Sequence, residues 1–290
     1  MKNIAFLCCQ TTISGSAIRR SDAHEHDHTL AAFRPELRQR DLVITEVCWD
    51  DANVDWSAFD AVIIGTTWDY WDRHDLFLET LDSIEKSTKL FNSSAMVRWN
   101  SNKQYLKELA ESGTNLIPTQ WIDEPSASNI EAAFELLDSD DIVVKRQVGA
   151  GADGQHRLTR GEAIPELTSP MMVQPFFPSI QTEGELSMIY IDGEYSHALI
   201  KRAVNGDYRI QSMYGGTEEA TTPNDDDLTQ ARHVLNSLDE MPLYARVDML
   251  RADSGSLYLM ELELIEPYLY PIQGPDLGRL MAEAIERRLS

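Results

Sequence analysis

Residues 244–265 hold two apolar runs, Ala245–Leu250 and Leu257–Ile265, joined by a loop containing Asp253, Ser254 and Gly255. Both read as β-strands, and a polar loop this short predicts antiparallel neighbours. Yet Asp248 interrupts the first run, and Glu261 and Glu263 interrupt the second. Side chains two apart on a strand share a face. Leu259, Glu261, Glu263 and Ile265 are therefore expected on one face, and Tyr258, Met260, Leu262 and Leu264 on the other. If the two strands pair, Asp248 falls level with Glu261. Three carboxylates on neighbouring strands repel one another unless a cation lies among them, and oxygen donors of this kind suit Mg²⁺. The competing account is an edge strand with a wet face, which leaves the apolar setting of Val247-Asp248-Met249 a coincidence.

Composition narrows the field. A net charge of −23 and a pI near 4.6 argue against a nucleic-acid surface and against binding to anionic membranes. No apolar run reaches membrane-spanning length. MKNIAFLCCQ lacks a signal peptide's long apolar region and reads as a first strand, so a cytoplasmic protein is expected. Cys8, Cys9 and Cys48 are an odd number with no zinc spacing, which predicts reduced, buried thiols. With 290 residues, 42% of them hydrophobic, the chain can bury a sizeable core in two or three subdomains.

The chain alternates strand and helix over its first ninety or so residues. Ile4–Cys8, Leu42–Val47 and Ala61–Ile64 read as strands, and Thr29–Arg40 and Asp75–Glu85 as helices. Near Asn100 a new unit begins. Ser101 and Gln104 predict a capping box ahead of a helix carrying Tyr105, Leu106 and Leu109, ended by Gly113. A helix through Ile130 and Leu137 and a strand at Ile142–Lys145 follow. Strands then dominate: Met171–Gln174, and Leu186–Ile191 with Glu194–Ile200 flanking the hairpin signal Asp192-Gly193. Helices at Leu228–Leu238 and Leu277–Ile285 complete the pattern, which is α/β or α+β.

Several stretches carry chemistry. In VVKRQVGAGADG, 143–154, Lys145 ends an apolar strand ahead of a glycine-rich loop holding Gly149, Gly151 and Gly154. Backbone N–H groups in such loops cradle phosphates; an ordinary hairpin with an exposed lysine is the alternative. Lys201, Arg202 and Arg209 concentrate positive charge in an acidic chain, as anion-binding residues or as surface ion pairs. Trp68, Asp69 and Tyr70 follow the third strand, where open α/β sheets present ligands; a packed aromatic turn is the other reading. His24, His26 and His28 could share a face only if extended, and a solvated loop entering a helix is the favoured reading.

The order of these features resembles the ATP-grasp superfamily, on its glutathione-synthetase-like side, over nearly the whole chain. That resemblance implies an N-terminal Rossmann-like subdomain (1–95), a small lid subdomain (96–173) and a C-terminal antiparallel-sheet subdomain (174–290). It implies ATP and Mg²⁺, with Mn²⁺ as a substitute, and a homodimer. Residue by residue, NKQYLKEL at 102–109 places Lys103 on the phosphates, with Lys145 as the second phosphate lysine and GAGADG as the loop over them. VQPFF, 173–177, is similar to the adenine hinge, through Gln174 and the backbone at Phe176, with Glu183 as the ribose acid. Arg209 would steady the transferring phosphate and Asp248 and Glu261 would hold metal; Glu263 stands where many relatives have Asn. The segments TTWDY, VRWNSNK, KRAVNGDYRIQSMYGG, YARVD and MELELIEP resemble the cyclo-ligases of D-cycloserine biosynthesis, which close O-ureido-D-serine into a ring. The implied chemistry is activation of a small carboxylic or amino acid as an acyl phosphate, displaced by nitrogen. A kinase of the same fold and a non-catalytic nucleotide- or metal-binding protein are the alternatives.

Overall fold

The computed structural model describes residues 1–149, 154–204, 207–210, 215–252 and 254–290. Strands β1 (Lys2–Cys8), β2 (Leu42–Cys48), β3 (Ala61–Thr66) and β4 (Lys89–Phe91) form a parallel sheet in the order β2-β1-β3-β4. All six residues of β3 are buried, as a central parallel strand covered on both faces requires. Helices α1 (His24–Arg38) and α2 (His74–Ser87) flank this sheet in sequence; α2 buries Phe77, Leu81 and Ile84, the residues at helical spacing.

The histidine run is not a loop. It forms the first turn of α1, so His24 and His28, four apart, stack edge to face with ring centroids 5.4 Å apart, while His26 is wholly buried. Burial is possible because both His26 ring nitrogens find partners: Thr66 Oγ1 at 2.6 Å and Glu46 Oε1 at 2.8 Å. Burial lowers the His26 pKa below its ordinary 6.5, against the opposing pull of Glu46. For Glu46, burial acts upward but is outweighed by hydrogen bonds from Ser14, His26 and Arg34, which bring its pKa down to about 2. Both groups have folded pKa values below their unfolded ones, so both contributions to stability are lost on acidification. The His26 contribution fades as pH falls below 6.5 and the Glu46 contribution as pH falls from 4.5 towards 2. Thermal melts between pH 8 and pH 3 are expected to show a two-stage decline, each stage bounded by about 1.4 kcal/mol per pH unit per proton. His26→Gln should flatten the upper stage; an unchanged profile in that variant would assign the decline to other groups.

Helix α3 (Ser94–Asn100) is capped by Ser93, whose Oγ accepts from the Met96 N–H, and α4 (Tyr105–Glu111) starts after a turn. The expected capping box at Ser101 and Gln104 is absent; Ser101 Oγ instead donates to the Arg98 carbonyl at 3.0 Å. An antiparallel sheet in the order β5-β8-β6-β7 follows, from β5 (Gln120–Ile122), β6 (Asp141–Arg146), β7 (His156–Thr159) and β8 (Met171–Pro175). Helix α5 (Ala127–Leu136) packs Ile130, Ala133 and Phe134 against it.

The third sheet is antiparallel in the order β11-β10-β9-β12-β13: β9 (Glu185–Ile191), β10 (Glu194–Arg202), β11 (Thr217–Thr221), β12 (Tyr244–Arg251) and β13 (Leu257–Glu263). The β9–β10 turn is built at Asp192 and Gly193, both with positive φ (52° and 80°), as a two-residue hairpin of this twist needs. Helix α6 (Ser179–Thr182) precedes β9, and α7 (Asp225–Asn236) opens with a capping box of Asn224 and Asp227. The last helix, α8 (Leu277–Leu289), returns to pack on α1; a side chain at Gly278 would place its Cβ 2.1 Å from the Ala32 carbonyl, so only glycine permits this crossing. Among the described residues, no helix is long and apolar enough to cross a membrane.

One register detail reorganises the expected faces of β13. Asp248 pairs with Glu261 but Met249 pairs with Leu259, so Met260 is an extra, bulged residue. The bulge shifts the alternation. Leu257, Leu259, Leu262 and Leu264 go into one core, while Met260, Glu261 and Glu263 turn towards a cavity. The expectation that Leu259 shares a face with Glu261 is thereby corrected.

Candidate active site

One deep cavity runs between the β5-β8-β6-β7 sheet and the five-stranded sheet and extends to the carboxyl end of the N-terminal sheet. Its inner part is an apolar slot walled by Ile117, Val143, Phe176, Ile180, Ile210 and Leu250. A flat, largely apolar ring fits such a slot. Gln174 stands at its edge, its Nε2 donating to Thr119 Oγ1 at 3.0 Å. The Phe176 N–H is already committed to the Asp141 carbonyl at 2.8 Å, so this amide does not face a ligand.

Beyond the slot the cavity becomes strongly charged. Lys103 Nζ lies 2.9 Å from Glu261 Oε1 and donates to the Gly149 carbonyl at 2.7 Å. Arg246 is 7% exposed; its Nε lies 3.0 Å from both Asp248 oxygens, its Nη1 donates to the Tyr268 carbonyl, and its Nη2 meets Glu263. Asp248, 2% exposed, also accepts from Ser187 Oγ at 2.5 Å. Lys201 pairs with Glu185 and stands 3.5 Å from Asp248. Burial raises the Asp248 pKa, but Arg246 and Lys201 outweigh it and bring the carboxyl below its ordinary range. Glu263 moves the other way, up to about 7: burial dominates, Arg246 opposes it, and the neighbouring charges of Asp248 and Glu261 add to the rise.

Lys145 differs from these cations. No carboxylate among the described residues lies within ion-pairing distance of its ammonium. Burial lowers its pKa, the Lys103 charge lowers it further, and Glu261 and Glu185 pull the other way. A half-buried cation in this condition is costly unless an anion arrives. Arg209, at the same cavity, is held by both oxygens of Asp207.

The structure gathers most of the expected residues into this cavity: Lys103, Lys145, Gly149, Gln174, Phe176, Lys201, Arg209, Asp248, Glu261, Glu263, Trp68 and Tyr70 all line it. Others it places elsewhere. Glu183 pairs with Arg251 at 2.9 Å, away from the cavity. Of the two, Glu185 faces the cavity, and among the described residues its buried Oε2 has no hydrogen-bond partner. Strand β9 starts at Glu185, and only residues on its inward face reach the cavity. Asp69 accepts from Trp49 Nε1 at 2.7 Å and pairs with Arg73, so it builds the turn. Arg202 points outwards to Glu219, because it alternates with the inward Lys201. Gly154 packs its backbone against Arg146 and does not line the cavity, and Gly151 lies outside the described residues.

Sequence reasoning passed over Arg246 as a site residue, although its position two before Asp248 puts both on one strand face. At the far end of the cavity, which loops converge to form, it found Trp68 and Tyr70 but passed over their neighbours. There Arg20 is clasped by both oxygens of Asp22 and stacks 5.2 Å from the Trp68 ring, beside Glu25, Glu218 and Glu266. Glu266 lies in this buried end with its pKa well above the ordinary range, through burial and the charges of Glu263 and Glu261 against the opposing Lys103.

For a metal, the donors Asp248, Glu261 and Glu263 are all oxygens, which fits a hard divalent cation. Among the described residues, no three carboxylate, histidine or cysteine groups are grouped closely enough to hold one ion together. Instead Lys103 pairs with Glu261, and Arg246 with Asp248 and Glu263, so a cation entering here would have to displace these partners.

Comparison with known proteins agrees with this geometry. Residues 4–92 match the family described as the D-cycloserine synthetase DcsG N-terminal domain. The cycloserine biosynthesis protein DcsG of Streptomyces lavendulae is 29% identical over 270 residues, covering 85% of this chain and 89% of that protein. The crystal structure of D-cycloserine synthetase DcsG superposes with a TM-score of 0.82 at 25% identity, covering 99% of this chain and all of that one. The chain has the ATP-grasp fold and is similar to DcsG over nearly its whole length. The same ATP-grasp architecture relates it to D-alanine–D-alanine ligase from Bacillus anthracis complexed with ATP (TM-score 0.69, 14% identity, full coverage of both chains). It also relates it to the ATP-grasp ligase PsnB complexed with a phosphomimetic variant of its minimal precursor, Mg and ADP (TM-score 0.67, 14% identity, 99% and 98% coverage).

Proposed function

We propose that this chain is an ATP- and Mg²⁺-dependent carboxylate–amine ligase or cyclo-ligase acting on a small carboxylic or amino acid. The observation that carries the reading is Lys145: a half-buried ammonium with no carboxylate partner among the described residues, lining the cavity that holds both the apolar slot and the carboxylates of β13. The slot would receive the adenine, and Lys103 and Lys145 the phosphates. Arg209 and Arg246 would meet charge at the transferring phosphoryl group and the acceptor carboxylate. Asp248, Glu261 and Glu263 would hold Mg²⁺, which supplies charge neutralisation at the phosphates when bound. Trp68, Tyr70 and Lys201 would border the acceptor.

The γ-phosphoryl group passes to a carboxylate oxygen, breaking its bond to ADP. Nitrogen then attacks the acyl carbon, phosphate leaves and the nitrogen loses a proton. The resemblance to DcsG supports an intramolecular nitrogen, as in closure of O-ureido-D-serine. Positioning does the work here, and no side-chain nucleophile is needed.

ATP with Mg²⁺ should stabilise the protein by about 2.7 kcal/mol at a hundredfold excess over Kd, and ATP alone should raise the melting temperature less. Phosphate release that requires both acid and nitrogen nucleophile would separate a ligase from a kinase. No thermal response to any nucleotide at millimolar concentration with Mg²⁺ would overturn the reading.

A further inference from the structure

Strand β13 is the outer strand of its sheet, so one row of its N–H and C=O groups lacks a neighbouring strand. That edge is nonetheless buried: Leu259, Leu262 and Leu264 are at most 1% exposed. Unpaired backbone groups in such a place are costly, and one backbone carbonyl and two side chains pair them. The Leu259 N–H donates to the Asn115 carbonyl at 2.8 Å. The Leu262 N–H donates to Tyr105 Oη at 2.8 Å, and that hydroxyl lies 3.1 Å from the Leu262 carbonyl. Asn100 Nδ2 donates to the same carbonyl at 2.8 Å, and the Leu264 N–H donates to Asn100 Oδ1 at 3.1 Å.

Leu262 lies between Glu261 and Glu263, just past the bulge that breaks register with β12. Asn100 ends α3 and Tyr105 begins α4, and the turn between them carries Lys103 against Glu261. The Lys103 N–H is itself anchored to the Gln147 carbonyl at 2.8 Å. One six-residue segment thus clamps the backbone between two cavity carboxylates and sets a cation on the first. This also explains why the helix breaks at Ser101–Gln104: a continuous helix would rotate Asn100 and Tyr105 to different faces.

We propose that Asn100 and Tyr105 are positioning residues for Glu261 and Glu263, and that their hydrogen bonds to Leu262 and Leu264 set the affinity of this site for a divalent cation. The proposal rests on the ligase reading above. A purely structural edge cap predicts lower stability alone. Groups that orient metal ligands typically change metal affinity ten- to a hundredfold when removed.

The test is Mn²⁺ binding to the full chain with ADP, followed by the Mn²⁺ paramagnetic resonance signal, in wild type and Tyr105→Phe. About tenfold weaker Mn²⁺ binding is expected, with ADP affinity in the absence of metal unchanged. Equal Mn²⁺ affinity in a variant that only melts lower would overturn the positioning role while leaving the ligase reading intact. No metal-linked ADP binding in the wild type would overturn both. Should Tyr105→Phe not fold, Asn100→Ser carries the same expectation, and unchanged Mn²⁺ affinity there overturns the proposal.

Discussion

Lys145→Met is expected to lose at least about a hundredfold in turnover while melting no lower than the wild type without ligands. Two observations lead to this pairing of effects. Lys145 lines the cavity between Lys103 and the base slot, where polyphosphate charge would fall. It also lacks a carboxylate in ion-pairing contact among the described residues, so its partial burial is offset only by the more distant charges of Glu261 and Glu185 until an anion binds. Methionine keeps the length and apolar stem but removes the charge, which relieves the desolvation penalty. Most substitutions at functional centres lower activity; the informative part is the unchanged or raised melting temperature. Phosphate-release kinetics and a ligand-free melt check the two halves separately. Wild-type turnover in a folded variant would show that the phosphates lie elsewhere, and a much lower melting temperature would show that Lys145 is structurally paired.

The legibility of this molecule in its sequence followed the range of the interaction. Strands and helices set by local periodicity came out close to their observed bounds: Ile142–Lys145 lies within β6, and the Asp192-Gly193 turn is where the dipeptide put it. The pairing of Asp248 with Glu261 was readable too, because a short loop between two apolar runs leaves few registers. The bulge at Met260 was not readable. It depends on the edge partners of β13, which come from residues some 160 positions earlier. The same long-range pull explains the misplaced capping box at Ser101 and Gln104, since Asn100 and Tyr105 are held by β13. Glu183 and Glu185 are both acids ahead of a hairpin, but Glu183 ends α6 and Gly184 (φ 97°) turns the chain, so only Glu185 is on β9 and meets the cavity. His26 misled because an isolated histidine run looks solvated; its partners Glu46 and Thr66 lie on two other elements. At the far end of the cavity Trp68 and Tyr70 were legible because they follow β3, whereas Arg20, Glu218 and Glu266 come from other loops and were not.

Glu261→Gln and Glu263→Gln should each abolish Mg²⁺-dependent turnover without unfolding the chain, and their effects on stability should differ in kind. Glutamine keeps the shape and one oxygen but loses the charge that a hard cation needs. Glu263 sits at a position where burial and the charges of Asp248 and Glu261 push its pKa up to about 7, against Arg246. A folded pKa raised above the ordinary 4.5 means that ionised Glu263 disfavours folding, most fully at pH values above 7. Glu263→Gln should therefore melt no lower than the wild type at pH 8, since Arg246 retains Asp248. At pH 4, where both states of the wild-type carboxyl are largely protonated, any advantage should vanish. Glu261 instead bonds Lys103, which keeps the Gly149 carbonyl as its remaining partner in Glu261→Gln. Its removal frees a phosphate lysine, so ADP without metal should bind Glu261→Gln at least as well as the wild type, while added Mg²⁺ brings no further gain. A wet edge strand predicts something else for both variants: stability changes within about half a kcal/mol at every pH and intact turnover. Full ATP-dependent turnover in either variant would remove that carboxylate from the metal site, and in both it would place the site away from β13.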